Sequence, residues 1–217
     1  MLYIVGLLLG GVALANQSPI NARLGAALKS PFRSSLVSFT VGFVFLVAVF
    51  LVSGQHVTLT GQHPWWIWTP GIFGVVYLTS NILLFPKIGA IQAIVFPIVG
   101  QVLMGLMIDT FGWFAAKQLP MTLTKAGGAA LLLFGVYVAV VWANRRELNR
   151  ENAIDKSEES ALEFNAWRIW GVIAGAVSSA QQAIAGKLAV ALGSAIGAAI
   201  VSFGVGMLII FLVVLLR

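Results

Sequence analysis

The chain has 217 residues, 59% hydrophobic and only 9% charged, with a formal charge of +6 and a mean hydropathy of +0.97. A soluble domain carries about 25% charged residues, so water alone cannot solvate this surface, and the sequence reads as an all-α integral membrane protein partnered by the lipid bilayer. There is no cysteine, hence no disulfide framework or thiolate site, and no zinc-protease, phosphate-loop or serine-hydrolase motif, so neither an enzyme nor a metal or cofactor is read from it.

A membrane helix needs about 20 mostly apolar residues. Seven runs qualify: 2–22, 34–53, 65–86, 89–109, 124–143, 168–187 and 195–216. The first offers Ala13-Leu14-Ala15 as a cleavage site, but it lacks a basic leader and reads as a span rather than a signal peptide. Trp65, Trp66, Trp68, Trp113, Trp142, Trp167 and Trp170 gather at the ends of runs, as an interfacial aromatic belt does. His56 and His63 share one short polar loop and read as solvated rather than metal-binding.

Residues 144–165 hold Glu147, Glu151, Asp155, Glu158, Glu159 and Glu163, six of the seven acids in the chain. They read as a solvated linker. The chain then divides into a five-helix unit at 1–143, a charged linker at 144–167, and two further helices at 168–217. Odd-numbered loops and the chain end carry Arg23, Lys29, Arg33, Lys87, Arg145, Arg146, Arg150, Lys156, Arg168 and Arg217. Even-numbered loops carry Lys117, Lys125 and Lys187. The positive-inside rule therefore puts the linker in the cytoplasm and the N-terminus outside. The same dispersal over loops, with no basic face, argues against nucleic acid as a partner.

The stretch QSPINARLGAALKS at 17–30 has an echo in QQAIAGKLAVALGS at 181–194. Sliding 11–52 onto 175–216 without a gap gives 14 identities in 42 positions, including Gln17/Gln181, Ser30/Ser194, Gly42/Gly206 and Val37-Ser38-Phe39 against Val201-Ser202-Phe203. Because five helices precede the second copy, it enters the membrane from the opposite side. The expected architecture is an inverted five-helix repeat with an incomplete second copy, a design in which transporters place a site between the units. A full second copy would add three helices, which leaves a fragment, a truncated product and half of an assembly as alternatives.

ANQSPINARLGAALKSPFRSSLVSFTVG at 15–42, FPKIGA at 85–90, Gly100-Gln101 and DTFG at 109–112 together resemble the YdcZ-like family of the drug/metabolite transporter superfamily. The resemblance implies an inner-membrane transporter or exporter built from five-helix repeats, fused or paired as two chains. It implies no particular cargo.

Polar side chains at membrane depth are costly without partners or water. Candidate substrate-binding residues are therefore Gln17, Asn21, Asn81, Gln101, Gln181 and Gln182. Pro19, Pro86 and Pro97 would shape helices, Pro19 by freeing the Ala15 carbonyl beside Gln17 and Asn21. Gln17 falls in the cytoplasmic half, Gln181 in the outer half, and Gln101 near the middle. Asn21 and Asn81 lie close to helix ends, where interfacial solvation is the favoured reading. Amides also hold membrane helices together, at about 0.6 kcal/mol each. No acid lies mid-helix, which speaks against a carboxylate-centred exchange of cargo for protons. Asp109, at the outer end of the fourth run, is the candidate ion or gate residue. The functional expectation is alternating-access transport of a small polar or amphipathic solute. The alternative is a non-transporting assembly subunit, completed by a partner chain or a homo-oligomer.

Overall fold

The computed structural model describes residues 2–59, 61–148 and 158–216; for some helical residues, including Gly6, Trp142, Arg145, Arg146, Glu147, Glu158 and Glu159, only the backbone is described. Arg150, Glu151, Asp155, Lys156 and Arg217, read above as linker or topology charges, lie outside the described residues.

The described residues form helices and no strand. The helices are α1 (Leu2–Ala27), α2 (Pro31–Ser53), α3 (Pro70–Phe111), α4 (Leu123–Leu148), α5 (Glu158–Leu192) and α6 (Ala195–Leu215), with 3-10 turns at Trp65–Trp68 and Trp113–Ala115. Three of them, α2, α3 and α6, are long and apolar enough to cross a membrane, and α4 contains a shorter apolar stretch, Leu123–Ala139. Large apolar side chains point outward, among them Leu8, Val41, Phe45, Leu131, Phe134 and Leu208. Such a surface suits lipid and not water. The linker read at 144–167 is in part helical, because α4 runs on to Leu148 and α5 begins at Glu158.

The 42-residue α3 is a hairpin of two helical arms. Gly89 breaks it with φ 76° and ψ 163°, a conformation that glycine alone adopts readily. In a straight helix Tyr77 and Gln101 would lie about 36 Å apart. Instead Gln101 Nε2 donates to the Tyr77 hydroxyl at 3.0 Å. The two residues are equidistant from Gly89 along the chain, so the arms run back alongside each other. At 1.5 Å per residue this pair sits about 18 Å from the apex, a little over half the thickness of a hydrocarbon core of about 30 Å. The hairpin accounts for the two apolar runs read at 65–86 and 89–109. The first arm starts later than that reading, at Pro70, because the tryptophans 65–68 form the 3-10 turn ahead of it.

The turns at 28–30 and 192–194 have one geometry. Ser30 caps α2 by accepting from Arg33 N at 3.3 Å, and Ser194 caps α6 by accepting from Gly197 N at 3.0 Å. The residue before each cap is left-handed, Lys29 at φ 51° and Gly193 at φ 61°. Ser30 N donates to Gly25 O at 3.0 Å and Ser194 N to Ala189 O at 3.1 Å. Every one of these pairs is separated by the repeat offset. Serine is a strong helix cap because its hydroxyl meets an otherwise orphaned backbone N–H.

α2 and α6 pack across each other by the same offset. The rings of Phe39 and Phe203 lie 5.5 Å apart at a tilt of 60°. The Phe203 ring fills the space beside Gly42, and the Phe39 ring fills the space beside Gly206. In these contacts each residue meets the other's equivalent at the repeat offset. Their numbering runs in opposite directions along the two helices, so α2 and α6 are antiparallel.

The tightest seam joins both arms of α3 to α5. Gly175 packs on the backbone of Pro97, Gly100 on the carbonyl of Val172, and Gly171 on Phe96 and Pro97. Ser179 Oγ donates to Gln101 O at 2.6 Å. Small residues let membrane helices approach to backbone contact, where dispersion and hydrogen bonds replace a missing hydrophobic drive. Gly100→Val or Gly175→Val should lower stability in detergent by about 1–3 kcal/mol or more, since neither has room for a Cβ. Gly128→Val on α4, where no atom lies within 4 Å, should leave thermal unfolding unchanged.

Candidate functional site

Between the α3 hairpin, α5, and the crossing of α1, α2 and α6 lies a cavity of about 610 Å³. Its polar walls come from Gln17, Ser18, Ser38, Tyr77, Asn81, Gln101, Ser178, Gln181 and Gln182, and its apolar walls include Phe39, Pro97 and Phe203. The volume suits a drug-sized ligand. Among the described residues, no Asp, Glu, Lys, Arg or His lines it.

Five of the six sequence candidates therefore converge: Gln17, Asn81, Gln101, Gln181 and Gln182. Gln101 is the most firmly held. Its Nε2 donates to Tyr77 and, at 3.3 Å, to Ser178 Oγ. With both donors engaged, its Oε1 is left to accept from a ligand. Gln182 Nε2 also donates to Ser178 Oγ, at 3.3 Å, and Asn81 Nδ2 donates to the Tyr77 carbonyl at 3.1 Å. Gln181 lies over Gly74, where an added Cβ would stand 2.9 Å from its Nε2. Glycine at 74 thus makes room for the amide.

Interfacial solvation does not hold for the asparagines, since Asn21 is 5% exposed and Asn81 4%. Asn21 is not at a helix end, because α1 continues to Ala27. It stands behind the cavity wall: Ser38 Oγ donates to its Oδ1 and Ser34 Oγ to its carbonyl, both at 2.8 Å, while its buried Nδ2 has no partner among the described residues. Pro19 lies within a continuous α1, Pro86 just before the hairpin apex, and Pro97 in the cavity wall with its backbone against Gly175. Asp109 lies outside the cavity. Its carboxylate takes Lys125 Nζ at 3.2 Å, and its carbonyl takes Leu119 N at 2.8 Å, so it ties α3 to the start of α4.

Sequence reasoning missed Tyr77, Ser178 and the two phenylalanines as cavity residues. For Phe39 and Phe203 the signal existed in the repeated Val-Ser-Phe. For Tyr77 it lay in its equal distance from Gly89, which has meaning only once the apex is known. A second groove of about 600 Å³, lined by Phe32, Leu83, Trp167 and Trp170 among others, is almost wholly apolar and offers no amide.

Towards the Gly89 apex the packing becomes apolar. Leu84, Ile88 and Ala93 form a buried cluster there, with Phe96, Phe164 and Trp167 against it. Over this cluster Lys87 Nζ meets Glu163 Oε1 at 2.9 Å, and Arg168 Nε donates to Gln92 Oε1 at 2.8 Å. The hydrogen bonds from Lys87 and then Trp167, with the lysine's charge, hold the Glu163 carboxyl below its ordinary value of 4.5. A carboxyl depressed in the folded state stabilises above its ordinary value, and that contribution fades as pH falls through the lowered value. The pair is well exposed and its effect correspondingly small. Thermal stability measured between pH 7 and pH 3 should fall slightly more for the native chain than for Glu163→Gln.

The fold and site together define a polytopic helical membrane protein with an amide-lined cavity among its helices. The family model described as "Putative inner membrane exporter, YdcZ" matches residues 2–138 and 166–217. The chain belongs to this DMT_YdcZ family, whose description is that of an inner-membrane exporter and names no enzymatic activity. No curated protein and no solved structure gave a significant match.

Proposed function

We propose that the chain is a membrane transporter unit that carries a small, uncharged or net-neutral polar solute through the amide-lined cavity by alternating access. The observation that carries this reading is the meeting of repeat-related residues in one cavity: Gln17 with Gln181, Ser18 with Gln182, and Phe39 with Phe203. Equivalent residues from two units converge on a shared space when the units face each other across a two-fold axis. Here α2 and α6 are antiparallel, so the axis lies in the membrane plane, the arrangement of an inverted repeat. Seven crossings follow from counting α3 as two spans. The distribution of lysine and arginine puts the N-terminus outside and the linker in the cytoplasm.

Gln101, at mid-depth, accepts from the cargo through Oε1. Gln17 and Gln181 supply matching donors and acceptors from opposite halves of the membrane, and the phenylalanine pair covers the apolar part. A lining without ionisable carboxylates or amines favours a cargo recognised by hydrogen bonds rather than by charge. The α3–α5 seam moves as one body, because backbones in contact leave it no freedom, and α1 with α2 changes access against it.

The cysteine-free chain allows a direct test. Single cysteines at Gln17, Gln101 and Gln181, with a lipid-facing control at Phe45, are exposed to a membrane-impermeant thiol reagent from each side. The reagent needs a thiolate and therefore water. Labelling at the glutamines and not at Phe45 is the expected result. Protection of all three glutamine sites from both sides would make them helix glue and end the transport reading.

A further inference from the structure

The hydrogen bonds around Gln101 leave a defined set of unfilled partners at the cavity wall. Its Nε2 carries two protons, which go to the Tyr77 hydroxyl at 3.0 Å and to Ser178 Oγ at 3.3 Å. Ser178 Oγ also accepts from Gln182 Nε2 at 3.3 Å. A serine oxygen has two lone pairs, so both are taken and its own proton is left to give. Among the described residues nothing accepts that proton, nor the phenolic proton of Tyr77. Both side chains line the cavity, and Ser178 is only 4% exposed, so the cavity is the space its hydroxyl faces.

Beside these two donors stands one acceptor, Gln101 Oε1. The backbone that carries it is pinned, since Ser179 Oγ donates to the Gln101 carbonyl at 2.6 Å. Turning the amide through 180° reverses each bond, with Nε2 then facing the cavity and Tyr77 offering lone pairs. In both settings the site asks its ligand for a donor and an acceptor together. Gln17 and Gln181, elsewhere on the wall, have amides that make no hydrogen bond among the described residues. They offer the same pairing, an N–H next to a C=O. Much of the remaining wall is apolar, including Leu78, Ile98, Phe39 and Phe203. Further polar groups on a ligand would lie against it without partners, at a cost.

We propose that the cargo is a compact, uncharged amphipathic solute recognised through one carboxamide-type group. Gln101 accepts from its N–H, the hydroxyls beside Gln101 supply the proton for its carbonyl oxygen, and its apolar remainder lies against Phe39 and Phe203. Tyr77 is then a specificity-determining residue. The inference rests on the transport reading above and narrows it. A carboxylate or an ammonium would enter a space with no countercharge among the described lining residues. A polyol would leave most of its hydroxyls against apolar walls.

The test is binding by the purified full chain, read as thermal stabilisation titrated with five probes of one skeleton. They are phenylacetamide, N,N-dimethylphenylacetamide, phenylethanol, phenylacetate and phenethylammonium. The dimethyl amide keeps the acceptor and lacks the donor, and the alcohol brings one polar atom to partners on separate residues. Phenylacetamide should act at concentrations about ten-fold lower than the other four, the worth of one well-placed hydrogen bond. Gln101→Leu should bring the two amides to within about two-fold of each other, because the acceptor for the N–H is gone. Tyr77→Phe should weaken both amides alike. A role for Gln101 confined to holding helices together would lower the melting temperature and leave the ratio of the two amides unchanged, which would overturn the proposal. Equal action of the dimethyl amide or the alcohol on the native chain would overturn it, as would tighter binding of either charged probe. No stabilisation by any probe, with the cysteine at Gln101 labelled from water, would overturn the cargo class and leave the transport reading standing. Protection of all three glutamine sites from both sides would end both.

Discussion

Backbone contact between α3 and α5 is the constraint on which the rest of the molecule depends. Gly100 and Gly175 bring carbonyls of one helix against the Cα of the other, which no larger residue permits. In lipid, where helices gain nothing by hiding apolar surface from each other, this closeness supplies the dispersion energy that holds the bundle. It also fixes where the polar groups go. Once Pro97 sits on Gly175, one turn further on Gln101 lies opposite Ser178, and its hydrogen bonds to Tyr77 and Ser178 follow. The hairpin at Gly89 sets this group about 18 Å from its apex, and Gln181 and Gln182 on α5 line the same space.

The second organising contact is between α2 and α6, where Phe39 and Phe203 meet and each ring occupies the space beside the other helix's glycine. The seam is asymmetric, since α3 packs far more extensively on α5 than on α1. The crossing of α2 and α6 is symmetric. The cavity lies between the two, which is why its walls contain repeat-related pairs together with residues, such as Tyr77 and Gln101, that come from the first unit alone. Charged groups are confined to the rims: Lys87 with Glu163 near the apex, and Asp109 with Lys125 at the other end of α3. Keeping charge out of the centre lowers the cost of the cavity in the bilayer and shapes what it can bind.

Much of this was legible in the sequence. Composition alone fixed the class, because so little charge leaves no soluble option. The repeat was visible in Gln17/Gln181 and in Val-Ser-Phe, and its turns fold alike because Ser30 and Ser194 are both strong caps. Five glutamine and asparagine candidates reached the cavity because a polar group at membrane depth has few places to go. The asparagine at 21 was harder to place. Its partners, Ser34 and Ser38, belong to another helix, and only packing shows that they screen it from the cavity. Likewise Asp109 looked like a gate from its position, yet Lys125, sixteen residues on, neutralises it in a tie between helices. Gly171 and Gly175, four apart on one face, mark α5 as a packing surface in the sequence itself, but contacts between distant residues leave no periodic trace, so the partner they pack on was not legible.

The central claim is that α1–α2 and α5–α6 are one structural unit inserted twice, in opposite senses. Lys29 and Gly193 are exposed repeat equivalents in the two matching turns, so they report it most directly. Cysteines placed singly at Lys29 and Gly193 in sealed, oriented membranes would be labelled by an impermeant thiol reagent added to one side at a time. The account predicts labelling of the cysteine at 29 from the cytoplasmic side only and of the cysteine at 193 from the opposite side only. Labelling of both from the same side would contradict it.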